Sequence, residues 1–426
     1  MKNWIVATIA VAVPVILAAQ PPSGQAVKAF TGARVIDGTD RPPIDNATMV
    51  VRGGKIVSVA PASRAQVPAN AERVALDGKT VIPGIVNAHG HVGNTEGLEQ
   101  GHYSSANVTR DLKTYAAYGI TTVFSLGDDQ AASIFARDSQ RTPSLDRARL
   151  FVAGPVLAPK TVDEARRLVD EDAAMKVDIV KIRVDDNLGT TPKMAPEIYK
   201  AVIDEAHKKN LRVAVHLFYL DDAKAVLDAG ADFIAHSVRD MDVDGPFIAM
   251  LKRRDVCYCP TLMREVSTFV YESTPAWFSD PLFQKHADMK AVDQLKQPQR
   301  QEQMKSSRSA QRYKAGLEVA NRNLKKLSDA GIKIAMGTDT GPPARFQGYF
   351  ELMELEMMAK AGLTPRQVLA SATRDAARCM KLDSEVGTLD ANKWADFVVL
   401  DANPLDDISN VKKISAVYVA GNRVER

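Results

Sequence analysis

Cysteine is scarce in this chain, with three residues in 426, at positions 257, 259 and 379. That count excludes the multi-bridge framework of small secreted domains, and Cys257-x-Cys259 has no second pair to complete a four-cysteine zinc site. Cys257 and Cys259 are therefore expected to pack as small apolar side chains, and the fold to stand on its hydrophobic core. An excess of one charge is also missing. Lys+Arg 55 against Asp+Glu 52 leaves +3 with no block of like charges, which argues against nucleic acid as a partner. No G-x-G-x-x-G follows a strand-like run, and G-x-S-x-G and H-E-x-x-H do not occur. Those absences remove a dinucleotide crevice, an α/β-hydrolase elbow and a thermolysin-like zinc helix. Asp77-Gly78-Lys79-Thr80 imitates the end of a phosphate loop but lacks its upstream glycine.

What is present begins with MKNWIVATIAVAVPVILAAQ, residues 1–20, in which one Lys precedes an apolar run from Trp4 to Leu17 and small residues follow. This layout reads as a secretory signal peptide over 1–19, with cleavage near Ala19. The run is shorter than the roughly 20 residues of a membrane span and contains Pro14. No later apolar stretch has the length to cross a bilayer, so the mature protein is expected to be soluble, without a membrane partner, and periplasmic or secreted. Hydrophobic residues at 45% and charged residues at 25% are globular proportions, ample for a large core.

Two styles of patterning divide the remainder. From 20 to 82, and again from 384 to 426, short period-two runs end in Gly or Pro, as in ATMVVRGGKIVSVAP and KISAVYVAGNRV. These segments are predicted to be strands and hairpins that join into one small β domain built from both chain ends. Between 83 and 383, eight short apolar runs (the one ending at His91, then TTVFSLG, ARLFVAGPVL, DIVKIRV, RVAVHLF, DFIAHS, VCYCPTL and IKIAMGTD) alternate with amphipathic helical stretches. Continuous apolar runs mark strands covered on both faces, and eight of them over this length predict an α/β fold, a (β/α)8 barrel of the TIM type. Gly119, Gly230 and Gly331 each stand between a helix and the next strand, where the left-handed conformation ends a helix without Cβ strain. Thr161 and Glu164 have the spacing of a capping box. A polar stretch over 265–312 interrupts the pattern and is predicted to be a helical insertion, either a lid or a solvated hairpin.

Candidate chemistry gathers at the predicted C-terminal ends of strands, where barrel enzymes keep their catalytic groups. His89 and His91 flank Gly90; residues i and i+2 of a strand share a face about 6–7 Å apart, so both imidazoles can reach one metal ion. His216 ends RVAV, His236 ends DFIA, and Asp339 closes IAMGTD. Lys181 in DIVKIRV points an ammonium into an apolar barrel, which is costly unless it pairs with Asp185, Asp186 or Asp339 or is modified. Burial lowers a lysine pKa, and the free amine can add carbon dioxide to become a carbamate, an anion with two oxygens. Near the same ends lie Arg183, Arg239, Arg264 and Arg345, with Tyr103 and Tyr219, as candidates for holding a substrate carboxylate; each Arg can instead pair with a neighbouring acid such as Asp240, Asp242 or Glu265. His207 is expected to sit at a helix C-terminus, His286 to be exposed in the insertion, and His102 to lie in a loop.

With these residues in view, VIPGIVNAHGHV and the closing ADFVVLDANPLDDISNVKKISAVYVAGNRV resemble the amidohydrolase superfamily over nearly the whole mature chain, within its imidazolonepropionase-related and prolidase-like branch. The resemblance implies a barrel carrying a small β-sandwich and two divalent metal ions, zinc by the family's habit. It implies that His89 and His91 bind one ion, that His216 and His236 bind the other, that carboxylated Lys181 bridges them, and that Asp339 is both ligand and catalytic proton acceptor. The chemistry implied is hydrolysis of an amide or related C–N bond by a metal-bridging hydroxide, with a dipeptide or N-acyl amino acid as the small-molecule substrate. The competing readings are a mononuclear deaminase with Lys181 unmodified, a cyclic amidohydrolase, and a non-catalytic metal-binding protein. Self-association to a homo-oligomer is left open. The chain departs from the usual pattern at Asn392-Lys393-Trp394, where a glycine is common, and at Leu217-Phe218-Tyr219, where small residues are.

Overall fold

The computed structural model describes residues 26–426; the segment 1–19, read above as a signal peptide, lies outside the described residues. Five strands open the chain: β1 (Val27–Val35), β2 (Ile44–Arg52), β3 (Lys55–Pro61), β4 (Glu72–Ala75) and β5 (Thr80–Pro83). The alternating sequence runs earn this arrangement, since Phe30, Met49, Val51 and Ile56 all turn into one apolar cluster. The far end of the chain joins this sheet: Phe397–Leu400 pairs antiparallel with β5, and the chain's last strands, Ile414–Val419 and Asn422–Arg423, extend that edge. All eight form one continuous sheet among the described residues, with Phe30, Phe397 and Tyr418 interlocked by ring contacts of 4.6–4.9 Å.

The middle of the chain builds parallel strands. β6 (Ile85–Gly90), a small hairpin of β7 (Thr95–Glu96) and β8 (Glu99–Gln100), β9 (Ile120–Ser125) and β10 (Arg149–Val152) come first, then β11 (Val156–Leu157), β12 (Val180–Arg183), β13 (Val213–His216), β14 (Phe233–Ile234) and β15 (Cys257–Tyr258). They pair in parallel in the orders β10-β9-β6 and β11-β12-β13-β14-β15. Every residue of β6, β9 and β10 is buried, as continuous apolar runs predict. The third run is cut in two at Gly154, which takes φ +71. IKIAMGTD, read as an eighth strand, makes only the isolated parallel bridges Tyr258↔Ile334 and Gly90↔Thr340, which tie it to β15 on one side and β6 on the other. Its backbone still bonds to both neighbours, accepting at Lys333 O from Tyr258 N and at Met336 O from Ala88 N, and the run ends where Asp339 adopts φ +59.

Helices cover these strands, and the capping reasoning holds in part. Gly119, Gly230 and Gly331 take φ of +85, +116 and +75. Thr161 caps its helix by accepting from the Glu164 amide at 3.1 Å, whereas the Glu164 carboxylate accepts from Lys160 N, so the reciprocal half of the box is displaced by one residue. His207 stands in the last turn of its helix and faces Asp232 at 2.9 Å. The 265–312 stretch is helical, but as a chain of short helices leading into the long helix Arg308–Asp329 rather than one hairpin. Its aromatic residues are not solvated: Tyr271, Phe278 and Phe283 are buried, and with Trp277 they pack against Phe346, Tyr349 and Phe350 of the segment that follows Asp339. His286, expected to be exposed, is half-buried with its ring 5.1 Å from Tyr118.

The cysteine expectation holds for Cys259, a buried free thiol, and is overturned for Cys257, which forms a disulfide with Cys379. The start of β15 and the end of the helix Arg374–Cys379 meet with Cα atoms 5.9 Å apart, a juxtaposition of residues 122 apart that no local pattern announces. Among the described residues, no helix is long and apolar enough to cross a membrane.

Candidate metal centre and catalytic site

The six residues read as ligands converge. His89 leaves the end of β6 fully buried, with Nδ1 donating to the Ala235 carbonyl at 2.8 Å. His91 donates through Nδ1 to the Gly127 carbonyl at 3.1 Å. A carbonyl oxygen only accepts, so both imidazoles present the Nε2 lone pair to the interior. Asp339 Oδ1 lies 2.8 Å from His91 Nε2 and 3.5 Å from His89 Nε2, and Lys181 Nζ is 3.5 Å from the same His89 nitrogen. The rings of His89 and His236 are 4.6 Å apart, and those of His216 and His236 are 4.1 Å apart. His236 Nδ1 is tied to Thr261 Oγ1 at 2.8 Å, while His216 Nε2 has no hydrogen-bond partner and sits 3.0 Å from Asp185 Oδ2.

Burial disfavours the charged form of three of these imidazoles. It lowers His216 to about 3, and it brings His89 and His236 well below the ordinary histidine value, with the Lys181 charge adding at His89 and the His216 charge at His236. Burial also lowers His91, but the Asp339 hydrogen bond and charge outweigh it and raise the pKa. Asp339 would be pushed up by burial, yet the Arg345 guanidinium and the two histidines hold it well below the carboxylate range. Lys181 is brought down to about 8, chiefly by burial. No salt bridge joins Lys181 to Asp185, Asp186 or Asp339 among the described residues, so the simple ion-pair account of this lysine is not what the fold provides.

The donor set fits a divalent cation. With Nδ1 of His91 committed to a carbonyl, its Nε2 lone pair and an Asp339 oxygen face each other at 2.8 Å, and two acceptors at that distance require a cation between them, a proton or a metal. His89, His91 and Asp339 bring their ligand atoms within 4.8 Å of one another.

Support for this cluster comes from residues the sequence pattern did not mark. Glu351 is buried and accepts from Asn87 Nδ2 at 2.7 Å, Thr338 Oγ1 at 2.5 Å, Thr340 Oγ1, and the Gly348 amide at 2.6 Å. Asn87 in turn accepts from the His89 amide at 3.0 Å, and the His89 carbonyl accepts from the amides of Thr338 and Asp339. One carboxylate thereby ties His89 to Asp339. Burial raises its pKa to about 7 despite those donors. Asp185 does the same for His216, and Glu265 for Arg239 and Arg264.

The candidate substrate residues fare unevenly. Arg345 contacts Asp339 directly, Nη1 to Oδ2 at 2.6 Å. Arg183 pairs with Asp185 at 2.9 Å, beside His216. Arg239 is buried and its Nε lies 3.0 Å from Glu265, so it acts as an internal brace. Tyr219 is half-buried and donates to Asp186 at 2.9 Å. Tyr103 is bonded to Ser133 and accepts from Gln130 N at 3.1 Å. His102 is exposed near Glu96 and Glu99. A cavity of about 410 Å³ opens between the insertion and the loop after Asp339, lined by Phe283, His286, Phe346, Gln347 and Arg345 among others. None of the six converging residues lines it; Arg345 connects the two.

A family model described as the amidohydrolase family matches residues 80–424. The chain belongs to the amidohydrolase family. As an amidohydrolase it is a hydrolase of carbon–nitrogen bonds. It is 25% identical over 400 residues to an imidazolonepropionase of Streptomyces avermitilis, covering 89% of this chain and 87% of the relative. It is 24% identical over 275 residues to an ochratoxinase of Aspergillus niger, covering 62% of this chain and 49% of that protein. Among solved structures, a candidate prolidase from Bifidobacterium longum superposes with a TM-score of 0.76 at 25% identity, over 94% of this chain and 95% of the other. A Xaa-Pro dipeptidase with methionine bound in its active site superposes with a TM-score of 0.75 at 20% identity, over 94% and 100%. The amidohydrolase family typically uses divalent metals, in keeping with the donor set.

Proposed function

We propose that this amidohydrolase is a metal-dependent amidase of small molecules, with a dipeptide or N-acyl amino acid as substrate. The observation that carries the reading is the meeting of Asp339 Oδ1, His91 Nε2, His89 Nε2 and Lys181 Nζ within 3.5 Å steps, with His236 and His216 beside them. The parallel strands close as a (β/α)8 barrel over 83–383, and the terminal strands form its β-sandwich companion over 20–82 and 384–426; the bridges from 334 and 340 to the two outer strands support closure.

His89, His91, Lys181, His216, His236 and Asp339 would hold two divalent ions, zinc in this reading, with Lys181 carboxylated. Its depressed pKa supports this, because only the free amine adds carbon dioxide, releasing a proton as the carbamate forms. Bound there, the ions would acidify water and polarise the scissile carbonyl. Asp339 Oδ1 faces the histidine side, so it accepts the proton of the attacking water and returns it to the leaving nitrogen as the C–N bond breaks, giving a carboxylic acid and an amine. Glu351 keeps Asp339 and His89 in register for that transfer. An extracytoplasmic setting follows in the same reading, supported by the Cys257–Cys379 disulfide, since such bonds persist in oxidising compartments.

Metal analysis alongside a turnover screen tests the proposal. Two ions per chain and hydrolysis of dipeptides or N-acyl amino acids are expected. One ion per chain favours the mononuclear deaminase, and stoichiometric metal with no amide turnover sinks the proposal.

A further inference from the structure

The helix Tyr349–Lys360 carries two buried carboxylates three residues apart, on one face. Glu351 finds its donors in Asn87, Thr338, Thr340 and the Gly348 amide. Glu354 has a different set. Its Oε1 accepts from the Leu262 amide at 2.8 Å and its Oε2 from the Met263 amide at 2.6 Å, its only hydrogen-bond donors among the described residues. Both amides belong to the first turn of the short helix Leu262–Ser267, where backbone donors lack partners within the helix.

Such amides are ordinarily served by the N-cap residue, and threonine suits that position because its hydroxyl oxygen accepts from an amide two or three residues on. Thr261 is the N-cap here, yet its side chain makes no capping bond. Its backbone is left-handed, φ +48, and its buried Oγ1 lies 2.8 Å from His236 Nδ1. Glu354 therefore caps the helix in place of Thr261, and the threonine hydroxyl is free to meet the histidine. A ring whose Nδ1–H is held by that oxygen presents the Nε2 lone pair, as His89 and His91 do with their carbonyl partners.

We infer that Glu354 is a positioning residue for His236, acting through Thr261: by capping the helix from a distant segment it commits the Thr261 hydroxyl to Nδ1 and leaves Nε2 to a divalent ion. The inference rests on the metal-dependent reading and adds to it a residue that bonds to none of the six converging side chains. With Glu351 tying His89 to Asp339, one helix braces two parts of the histidine cluster. Without the Glu354 carboxylate two amides lose their acceptor, and the Thr261 hydroxyl, at the cap position, turns back to the helix and away from His236.

Isotopic nitrogen labelling of histidine in metal-free protein reads the tautomer by magnetic resonance, with the His236 signals identified by their absence in H236Q. Wild type is expected to show His236 protonated at Nδ1 alone. E354Q offers one amide oxygen where two carboxylate oxygens stood, and T261V removes the hydroxyl; each should give an exchange-averaged ring, and T261S should restore the wild-type signals. Cobalt(II) titration against a competing chelator is the second readout. E354Q and T261V should each weaken one of the two ions by about 10–100-fold and spare the other, and the double variant should be no weaker than T261V alone. E354D, its carboxylate withdrawn by one methylene, takes the place of E354Q should the latter not fold. Nε2 protonation in wild type, or an unchanged His236 in E354Q, E354D or T261V, overturns the inference and leaves metal binding standing. A tautomer that responds to these substitutions in a protein that takes up no cobalt supports the positioning role and removes the metal reading.

Discussion

Opening the Cys257–Cys379 bridge with C379S gives a stability change whose size follows from chain length. The bridge closes a loop of 122 residues, and the loop-closure entropy it removes from the unfolded chain is about 16 cal/mol/K, or about 5 kcal/mol at 25 °C. Little native structure should be lost with it. Arg212 independently tethers the same corner, donating to the carbonyls of Cys379 and Met380 at 2.7 and 3.2 Å, so the effect acts mainly through the unfolded state. A loss of about 3–5 kcal/mol is a large part of the 5–15 kcal/mol that stabilises typical domains. Urea denaturation of wild type and C379S, each with and without dithiothreitol, reads it out. Reductant should lower the wild-type midpoint to that of C379S and leave C379S unmoved. Midpoints for wild type that ignore reductant, or a C379S shift below about 1 kcal/mol, would refute the assignment of the bridge as a staple.

Asp339→Asn removes the proposed proton acceptor while keeping the shape of the side chain, and kcat on an amide substrate should fall by about 10²–10⁴-fold with circular dichroism unchanged. His216→Ala together with His236→Ala should lower the bound metal per chain measured by plasma emission, whereas substitution of the exposed His102 should not. Asp172 is fully buried, neither of its carboxylate oxygens has a partner, and burial raises its pKa to about 7. Its folded pKa thus exceeds the unfolded value, so below about 4 it costs nothing, and stability declines as pH rises from about 4 to 7 and then levels. D172N should remove up to about 4 kcal/mol of this pH dependence, seen as a gap in unfolding midpoint that widens from pH 4 to 7; a gap independent of pH would sink the assignment. Gly348 takes φ +81, and a Cβ there would lie 2.1 Å from Tyr118 Cδ2, so G348A should cost about 2–4 kcal/mol and lower Tm.

What could be read in the sequence was whatever depends on local spacing. His89-Gly90-His91 announces its geometry because period-two backbone puts both rings on one face; His216 and His236 stand out as polar residues at the ends of apolar runs, and Lys181 as an ammonium within one. Glycine after a helix is equally local, which is why positions 119, 230 and 331 behaved as expected. Glu351 gave no such signal: within the helix Tyr349–Lys360 its neighbour on the same face, Glu354, is also buried, and a buried acid looks like a solvated one until its donors, Asn87 and Thr338, arrive from distant segments. For Arg239 the sequence left two readings open, a substrate contact or a pair with an acid such as Glu265, and the fold provides the pair. The disulfide and the aromatic contacts of the insertion depend on pairings far apart in sequence, and the left-handed turn at Asp339 ends the predicted eighth run in a way that no local pattern announces.

That turn explains how the two halves of the site share a residue. A non-glycine residue in the left-handed region costs about 1–3 kcal/mol and persists only where its surroundings over-determine it. Here they do. The His89 carbonyl accepts from the amides of Thr338 and Asp339, and the hydroxyls of Thr338 and Thr340 on either side are both fixed by Glu351. An extended residue at 339 would project its carboxylate to one face of the strand only, towards either the imidazoles or the arginines. The left-handed turn directs it across the boundary, with Oδ1 on His91 and Oδ2 on Arg345. The strain is thus located where a single carboxylate must face the imidazoles and the arginines together, and Glu351 holds that geometry in place.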